Sequence, residues 1–267
     1  MGEIMKKSYQ MMATLLLSVS VSNLYALSGA AKGMSIAQES EKRETGFVDN
    51  TADVQMTLRD KNGKESVRKM RSWTKEMSND GDKSVIMFLK PKDVKGTAML
   101  THSHKTGGDD QWMYLPAIKR VKRISSANKS GSFMGSEFTY EDLASPEIEK
   151  YNYKYLRDSR CGSGRQCYVN KRSPVDNKSQ YSHQDVYVDK QTYRPEKIDF
   201  YDRKGALLKT LTFSGYKQHN GKFWRAASMN MENVQTGKST TLDWSNFKFK
   251  QGLNNRLFSK RNLKNIR

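Results

Sequence analysis

The chain has 267 residues, with 47 Lys and Arg against 28 Asp and Glu, a formal net charge of +19 at pH 7. That length suits one large domain, and no segment beyond the N-terminus is apolar enough for the roughly 20-residue helix that crosses a bilayer. A charge of this size attracts anions: lipid headgroups, polyanionic glycolipid, nucleic acid or an acidic partner.

The N-terminus reads as an export signal. Lys6 and Lys7 form a charged head, and Met11 to Leu17, continued by Val19 and Val21, forms a short apolar stretch. Cleavage is expected after Ala26, giving a signal peptide over 1–26 and one domain over 27–267; Ser28-Gly29-Ala30-Ala31 offers a second cut. The alternative is an uncleaved anchor or a buried helix. No cysteine stands close behind the apolar stretch, so lipid attachment at a new N-terminal cysteine is not expected, and the mature chain is expected to be soluble in the periplasm. Losing Lys6, Lys7 and Glu3 takes the charge to +18. Export argues against nucleic acid as the partner.

The first mature element is predicted as a short helix. Ser35 and Gln38 form a capping-box pattern, Glu39 and Arg43 share a face, and Gly46 is a stop. Its few apolar residues predict a helix lying over something else. Val54, Met56 and Leu58 then alternate with polar residues, which is strand periodicity. Asn62-Gly63 marks a hairpin, and strands follow at Glu65–Met77, Ser84–Leu89, Thr97–Ser103 and Gln111–Leu115.

The second half repeats the rhythm: Tyr151–Leu156, Gln166–Asn170, Gln184–Asp189, Glu196–Tyr201, Leu207–Phe213, Phe223–Met231 and Ser239–Phe249. Cys161 and Cys167 enclose a turn and, in an oxidising compartment, favour a disulfide. About ten or eleven short antiparallel strands joined by hairpins predict a mainly β barrel or sandwich, most simply one long curved sheet. Its apolar face must be covered by helices, loops or a ligand. Methionines recur in the predicted strands, where β-branched residues are usual. Methionine suits a surface that repacks around varied apolar ligands, and it also serves as ordinary core filler.

Chemistry is sparse. Gly237-Lys238-Ser239-Thr240 resembles the end of a phosphate-binding loop, but Glu232 stands where that pattern needs glycine, so no nucleotide cofactor is expected. His102 and His104, with Asp109 and Asp110 beyond a turn, could share a metal ion; no third ligand is fixed by spacing, and exposed strand histidines are the plainer reading. Glu137, Glu141 and Asp142 could be the paired carboxylates of a hydrolase or ordinary loop residues. No catalytic set, cofactor or metal is expected.

Between the halves lies Gln111-Trp112-Met113-Tyr114-Leu115-Pro116, then the basic cluster Lys119, Arg120, Lys122 and Arg123, then a loop, Gly131–Leu143, with Phe133, Met134, Phe138 and Tyr140. Gly131 and Gly135 permit positive φ and close backbone approach. The apolar loop residues are costly to leave in water, so they should fold back over the sheet or over whatever occupies it.

These stretches, with Val54–Asp60, Lys95-Gly96-Thr97-Ala98-Met99-Leu100, Tyr201–Gly205, Leu208–Phe213 and Leu257-Phe258, resemble the LolA-like, outer-membrane lipoprotein-sorting protein family of Gram-negative periplasms. The likeness spans roughly residues 34–264, and its Trp-x-Tyr-Leu-Pro to Tyr-Glu-Asp-Leu region resembles a branch often found beside exporters of the resistance–nodulation–division type. The resemblance implies an unclosed antiparallel β-barrel with short helices over its mouth, and a carrier that holds the acyl chains of a lipoprotein or other lipid and moves it toward the outer membrane. On that view Met56, Met70, Met87, Met99, Trp112, Tyr114, Leu211, Phe213, Met229, Met231 and Trp244 are candidate lipid lining, with face uncertain by one register. Phe133, Met134, Phe138 and Tyr140 would gate it, and Lys119, Arg120, Lys122 and Arg123 would meet headgroups or, transiently, a membrane surface. A competing expectation is an adaptor that docks to an inner-membrane exporter and carries no lipid, with a filled barrel.

Overall fold

A computed structural model describes residues 28–266, so the expected signal segment lies outside the described residues. Among the described residues there is one α-helix, α1 (residues 28–44), and fifteen strands. The first six are β1 (Asp49–Arg59), β2 (Glu65–Lys75), β3 (Lys83–Lys90), β4 (Ala98–His102), β5 (Asp110–Leu115) and β6 (Arg120–Ile124). Then come β7 (Tyr151–Arg160), β8 (Gln166–Pro174), β9 (Tyr181–Asp189), β10 (Pro195–Asp202) and β11 (Leu207–Ser214). The last four are β12 (Lys217–His219), β13 (Phe223–Arg225), β14 (Ser228–Asn233) and β15 (Lys238–Phe249).

Thirteen strands form one antiparallel sheet in the order β6-β5-β4-β3-β2-β1-β15-β14-β11-β10-β9-β8-β7, and β12 and β13 form a separate ribbon. Almost every neighbour in the sheet is a neighbour in sequence, as hairpin connections dictate. The exceptions are β1 against β15, which joins the two halves, and β11 against β14, between which the β12–β13 ribbon is inserted. The sheet does not close: β6 is one edge and β7 the other. This is the unclosed half-barrel expected, with more strands than the ten or eleven read from sequence. The predicted strand Phe223–Met231 is divided between β13 and β14, and β6 was read only as a charge cluster. Cys161 and Cys167 are disulfide-bonded across the β7–β8 turn.

The helix differs from expectation. Ser35 is interior to α1, not its cap, because helix already runs from residue 28. Its inward stripe is Gly33, Ile36, Ala37 and Ser40, narrow and small. Small residues let the helix lie almost on the backbone of β7 and β8. The Gly33 carbonyl accepts from Asn170 Nδ2 at 2.9 Å, Ser40 Oγ donates to the Tyr193 carbonyl at 2.8 Å, and Lys32 sits 3.5 Å from the Tyr155 ring centre. The Glu39–Arg43 pair forms at 2.7 Å.

A Cβ on Gly33 would stand 2.7–2.8 Å from the Tyr155 and Lys154 nitrogens and Asn170 Oδ1. Two of those atoms are backbone and cannot step aside. Helix propensity alone favours Gly→Ala by about 1 kcal/mol. Gly33→Ala should nonetheless destabilise, by about 1–3 kcal/mol, as overpacking does. Urea denaturation gives the sign, and a stabilised variant would show that α1 is not seated this closely.

In the β2–β3 connection, just before β3, burial pushes the Asp82 carboxyl up to about 7; the Met77 N–H opposes this, and Glu147 and Glu76 add to the rise. Its folded value thus exceeds the ordinary 3.8. Between those two pH values the folded chain keeps a proton that the unfolded chain releases, so stability falls as pH rises from about 4 to about 7 and stays lower above. Asp82→Asn should therefore unfold with its parent at pH 4 and be more stable by on the order of 2 kcal/mol at pH 8. Calorimetry at both pH values checks this; equal melting of parent and variant at pH 8 refutes it.

Candidate functional site

The inner face of the half-barrel carries the larger apolar cluster. Cross-strand register builds it in rows. Met56 pairs with Leu242, Leu242 with Met229, and Met229 with Phe213. Val54 lies between Met70 and Trp244. Met231 pairs with Leu211, Leu211 with Ile198, and Met99 with Met113. Eight candidate lining residues therefore share this face: Met56, Met70, Met99, Leu211, Met231 and, partly buried, Phe213, Met229 and Trp244.

Met87, Trp112 and Tyr114 do not join them. They belong to a second cluster on the opposite face of β2 to β5, with Trp73, Val85 and Leu100. The run Ser84–Leu89 is apolar on both faces, so its pattern could not choose one. The outer cluster is covered by the C-terminal residues Leu253, Leu257, Phe258, Leu263 and Ile266. That strap is fastened by Asp49, whose carboxylate accepts from the Gln251 and Leu253 N–H groups at 2.6 and 2.8 Å.

The segment 125–150 connects the two sheet edges, so it must cross the mouth of the half-barrel. Within it Phe133 N–H donates to the Phe138 carbonyl at 2.8 Å, closing a tight hairpin. Met134 (φ 53) and Gly135 (φ 78) are left-handed at its tip. Gly131 needs no positive φ; its role is close approach, since a Cβ there would be 3.0 Å from the Asn128 carbonyl oxygen. Phe133 and Phe138 are 0% and 2% exposed, and Met134 and Tyr140 pack against the same cluster. Phe133 lies 5.7 Å from Phe88 and 5.9 Å from Tyr140, ring centre to ring centre. The apolar loop residues thus fill the inner face.

Polar contacts fasten this loop to five strands: β2, β9, β11, β14 and β15. Asp142 Oδ2 accepts from Lys209 Nζ at 2.7 Å, and from Thr139 N–H and Oγ1 at 2.7 and 2.8 Å. Asp142 Oδ1 accepts from the Tyr181 hydroxyl at 2.8 Å; burial pushes that phenol well above its ordinary pKa. Lys209 Nζ also donates to the Glu137 carbonyl at 2.9 Å. Thr240 Oγ1 accepts from Glu137 N–H at 3.0 Å, Asn233 donates to the Glu137 carboxylate at 2.8 Å, and Arg68 donates to the Met134 carbonyl. Lys209 and Asp142 side chains are 3% and 6% exposed, a buried ion pair. Lys209 was missed from sequence, although it has the same strand parity as Leu211 and Phe213: a lysine on the apolar side of a strand.

The three loop carboxylates are therefore occupied in holding structure: Glu141 Oε2 accepts from the Gln180 N–H at 3.4 Å. His104 lies between Asp80 (2.6 Å) and Asp110 (3.3 Å); its hydrogen bond to Asp80 holds its pKa up. His102 Nε2 bonds the Phe258 carbonyl at 2.7 Å, fastening the strap. Lys119, Arg120, Lys122 and Arg123 are all exposed, at and beside the edge strand β6, where charge also discourages edge-to-edge pairing.

A solved domain from Vibrio parahaemolyticus, provisionally named an outer membrane lipoprotein-sorting protein, is 53% identical to the chain, with a TM-score of 0.86 over 88% of this chain and 99% of that one. A DUF1329 family protein from Desulfovibrio piger is 30% identical, with a TM-score of 0.83 and the same coverage of 88% and 99%. The chain belongs to the DUF1329 family. A family model described as "uncharacterized protein" matches residues 80–265. The LolA superfamily protein from Nitrosomonas europaea, at 22% identity and TM-score 0.68, covering 85% of this chain and 97% of that one, shares the fold. None of the curated proteins matches the chain significantly. The resemblance to outer-membrane lipoprotein-sorting proteins thus holds at the family level. No helix among the described residues is long and apolar enough to cross a membrane.

Proposed function

We propose that this DUF1329 protein is a periplasmic carrier, not an enzyme, that takes an acyl chain of a lipoprotein or other lipid onto the inner face of its half-barrel. The observation that carries the reading is the inner face itself: a methionine- and aromatic-rich surface running across both halves of the sheet, covered by a loop rather than closed by strands. Methionines adapt to a flexible chain, and each methylene buried contributes roughly 0.8 kcal/mol. The acyl chain would enter where Phe133 and Phe138 now lie, the loop swinging aside as the gate. The name of the Vibrio relative supports lipoprotein sorting as the context.

Native mass spectrometry of the protein taken from its own periplasm, followed by organic extraction, tests the proposal. Near one-to-one lipid, lost in Met56→Asp and Met229→Asp, supports the carrier. A second reading has an observation in its favour: Phe133 and Phe138 already fill the inner face, as suits an adaptor that docks to an inner-membrane exporter and carries nothing. An empty protein that refuses added lipid, yet co-purifies with a membrane protein, favours that adaptor.

A further inference from the structure

The two basic concentrations of the sequence, at 119–123 and in the C-terminal tail, are far apart in the chain and adjacent in the fold. The C-terminal 3-10 turn Leu263–Asn265 packs beside β6, and Leu263 and Val121 share the outer apolar cluster. This packing decides which way the charges point. Leu257, Phe258 and Leu263 turn inward, so Arg256, Lys260, Arg261 and Lys264 are left exposed. No acid follows Asp243 in the sequence. On β6, Arg123 pairs with Asp110. Among the described residues, Lys119, Arg120, Lys122, Arg256, Lys260, Arg261 and Lys264 make no ion pair. An open cleft of about 470 Å³ lies between Arg256, Ser259, Arg261, Asn262, Lys264 and Asn265. At the rim, beside Lys119, Ile118 is 49% exposed.

We propose that β6 and the C-terminal strap together form a docking face for an anionic lipid bilayer, with headgroup phosphates meeting the cleft and Ile118 entering the interface. Unpaired long cations suit phosphates whose positions are not fixed, and an apolar tip among cations is the arrangement of interfacial binding. The face is built from the outer side and an edge of the sheet, so it leaves the inner face out of the contact and stands whether or not that face carries lipid.

The test is flotation of the mature protein with phosphatidylcholine vesicles, with and without phosphatidylglycerol, at low and high salt. Binding should need phosphatidylglycerol and weaken with salt, because screening is strong beyond about 10 Å at 0.1 M. Each basic group near such a surface strengthens binding about fivefold. The quartet Arg120→Glu, Lys122→Glu, Arg261→Glu and Lys264→Glu should therefore weaken it at least about a hundredfold. The control quartet Lys61→Glu, Lys64→Glu, Lys204→Glu and Lys238→Glu, in or beside turns at an end of the sheet and also exposed, should keep most of the binding, with circular dichroism confirming that both quartets fold. Equal loss in both quartets would mean that net charge alone acts, and would overturn the proposal. So would absence of binding to phosphatidylglycerol, capture of an acidic protein through this face without vesicle binding, or displacement by inorganic phosphate at matched ionic strength, which would mark a single-anion cleft. Bound acyl chains are read separately by mass spectrometry, so failure here and failure of the carrier reading are distinguishable.

Discussion

Asp142→Ala should lower stability by about 3–5 kcal/mol, because it leaves Lys209 as an uncompensated charge in the interior. Lys209 is 3% exposed at its side chain, and beyond Asp142 its Nζ has the Glu137 carbonyl and, a little over 5 Å away, the faces of Tyr181 and Phe200. A carbonyl and two ring faces do not neutralise an ammonium ion. The same substitution deprives Thr139 and Tyr181 of their acceptor, so damage should concentrate in the loop. Hydrogen exchange should show 131–143 losing protection first, while β1, β2 and β15 retain theirs. The double variant Asp142→Leu, Lys209→Met removes both charges and should be markedly more stable than Asp142→Ala, since replacing a whole buried pair by apolar groups is often near neutral. Urea denaturation of the parent, Asp142→Leu, Lys209→Met and the double variant gives the coupling. A loss below about 1 kcal/mol for Asp142→Ala would mean that the pair is solvated in solution and does not hold the loop.

Much of the fold was legible because hairpins announce themselves locally. Asn62-Gly63 sits in the predicted turn, with Gly63 at φ 84 and Asp60 Oδ1 accepting from the Asn62 N–H at 2.8 Å. Alternation likewise placed Met56, Leu211 and Met231 on a common face. Four things were not legible. Strand parity is silent where both faces are buried, which is why Met87 was assigned to the wrong side. β6 reads as charge because an edge strand needs only a few apolar contacts, here Val121 and Ile124. The helix start was misread because Ser35 to Gln38 has capping chemistry at a place where the true constraint is the close seat of Gly33. The carboxylates that looked like possible catalysts were the loop's fasteners, and the partner that makes Asp142 so, Lys209, lies 67 residues later in sequence.

Phe133→Ala should separate the two readings of the inner face, because stability and binding move in opposite directions. Phe133 is fully buried against Phe88 and Tyr140. Its truncation should cost about 3–5 kcal/mol, transfer energy plus the cavity left behind. Phe138→Ala should behave alike. An apolar cavity of that kind stays dry and accepts apolar guests. If the loop is a gate standing in for an acyl chain, the variant should bind a long-chain fatty acid more tightly than the parent, since less of the loop's own packing must be displaced. The lipid should then return part of the lost stability: at a hundredfold excess over Kd the gain is about 2.7 kcal/mol. Thermal melting with and without lipid gives both quantities. A larger lipid-induced rise for Phe133→Ala than for the parent supports exchange between loop and chain. If lipid raises neither melting temperature, the phenylalanines are permanent core, and the cluster around Met56, Met231 and Leu211 serves folding alone. The adaptor reading would then stand, because a filled half-barrel can offer an exporter only its edges and its outer face.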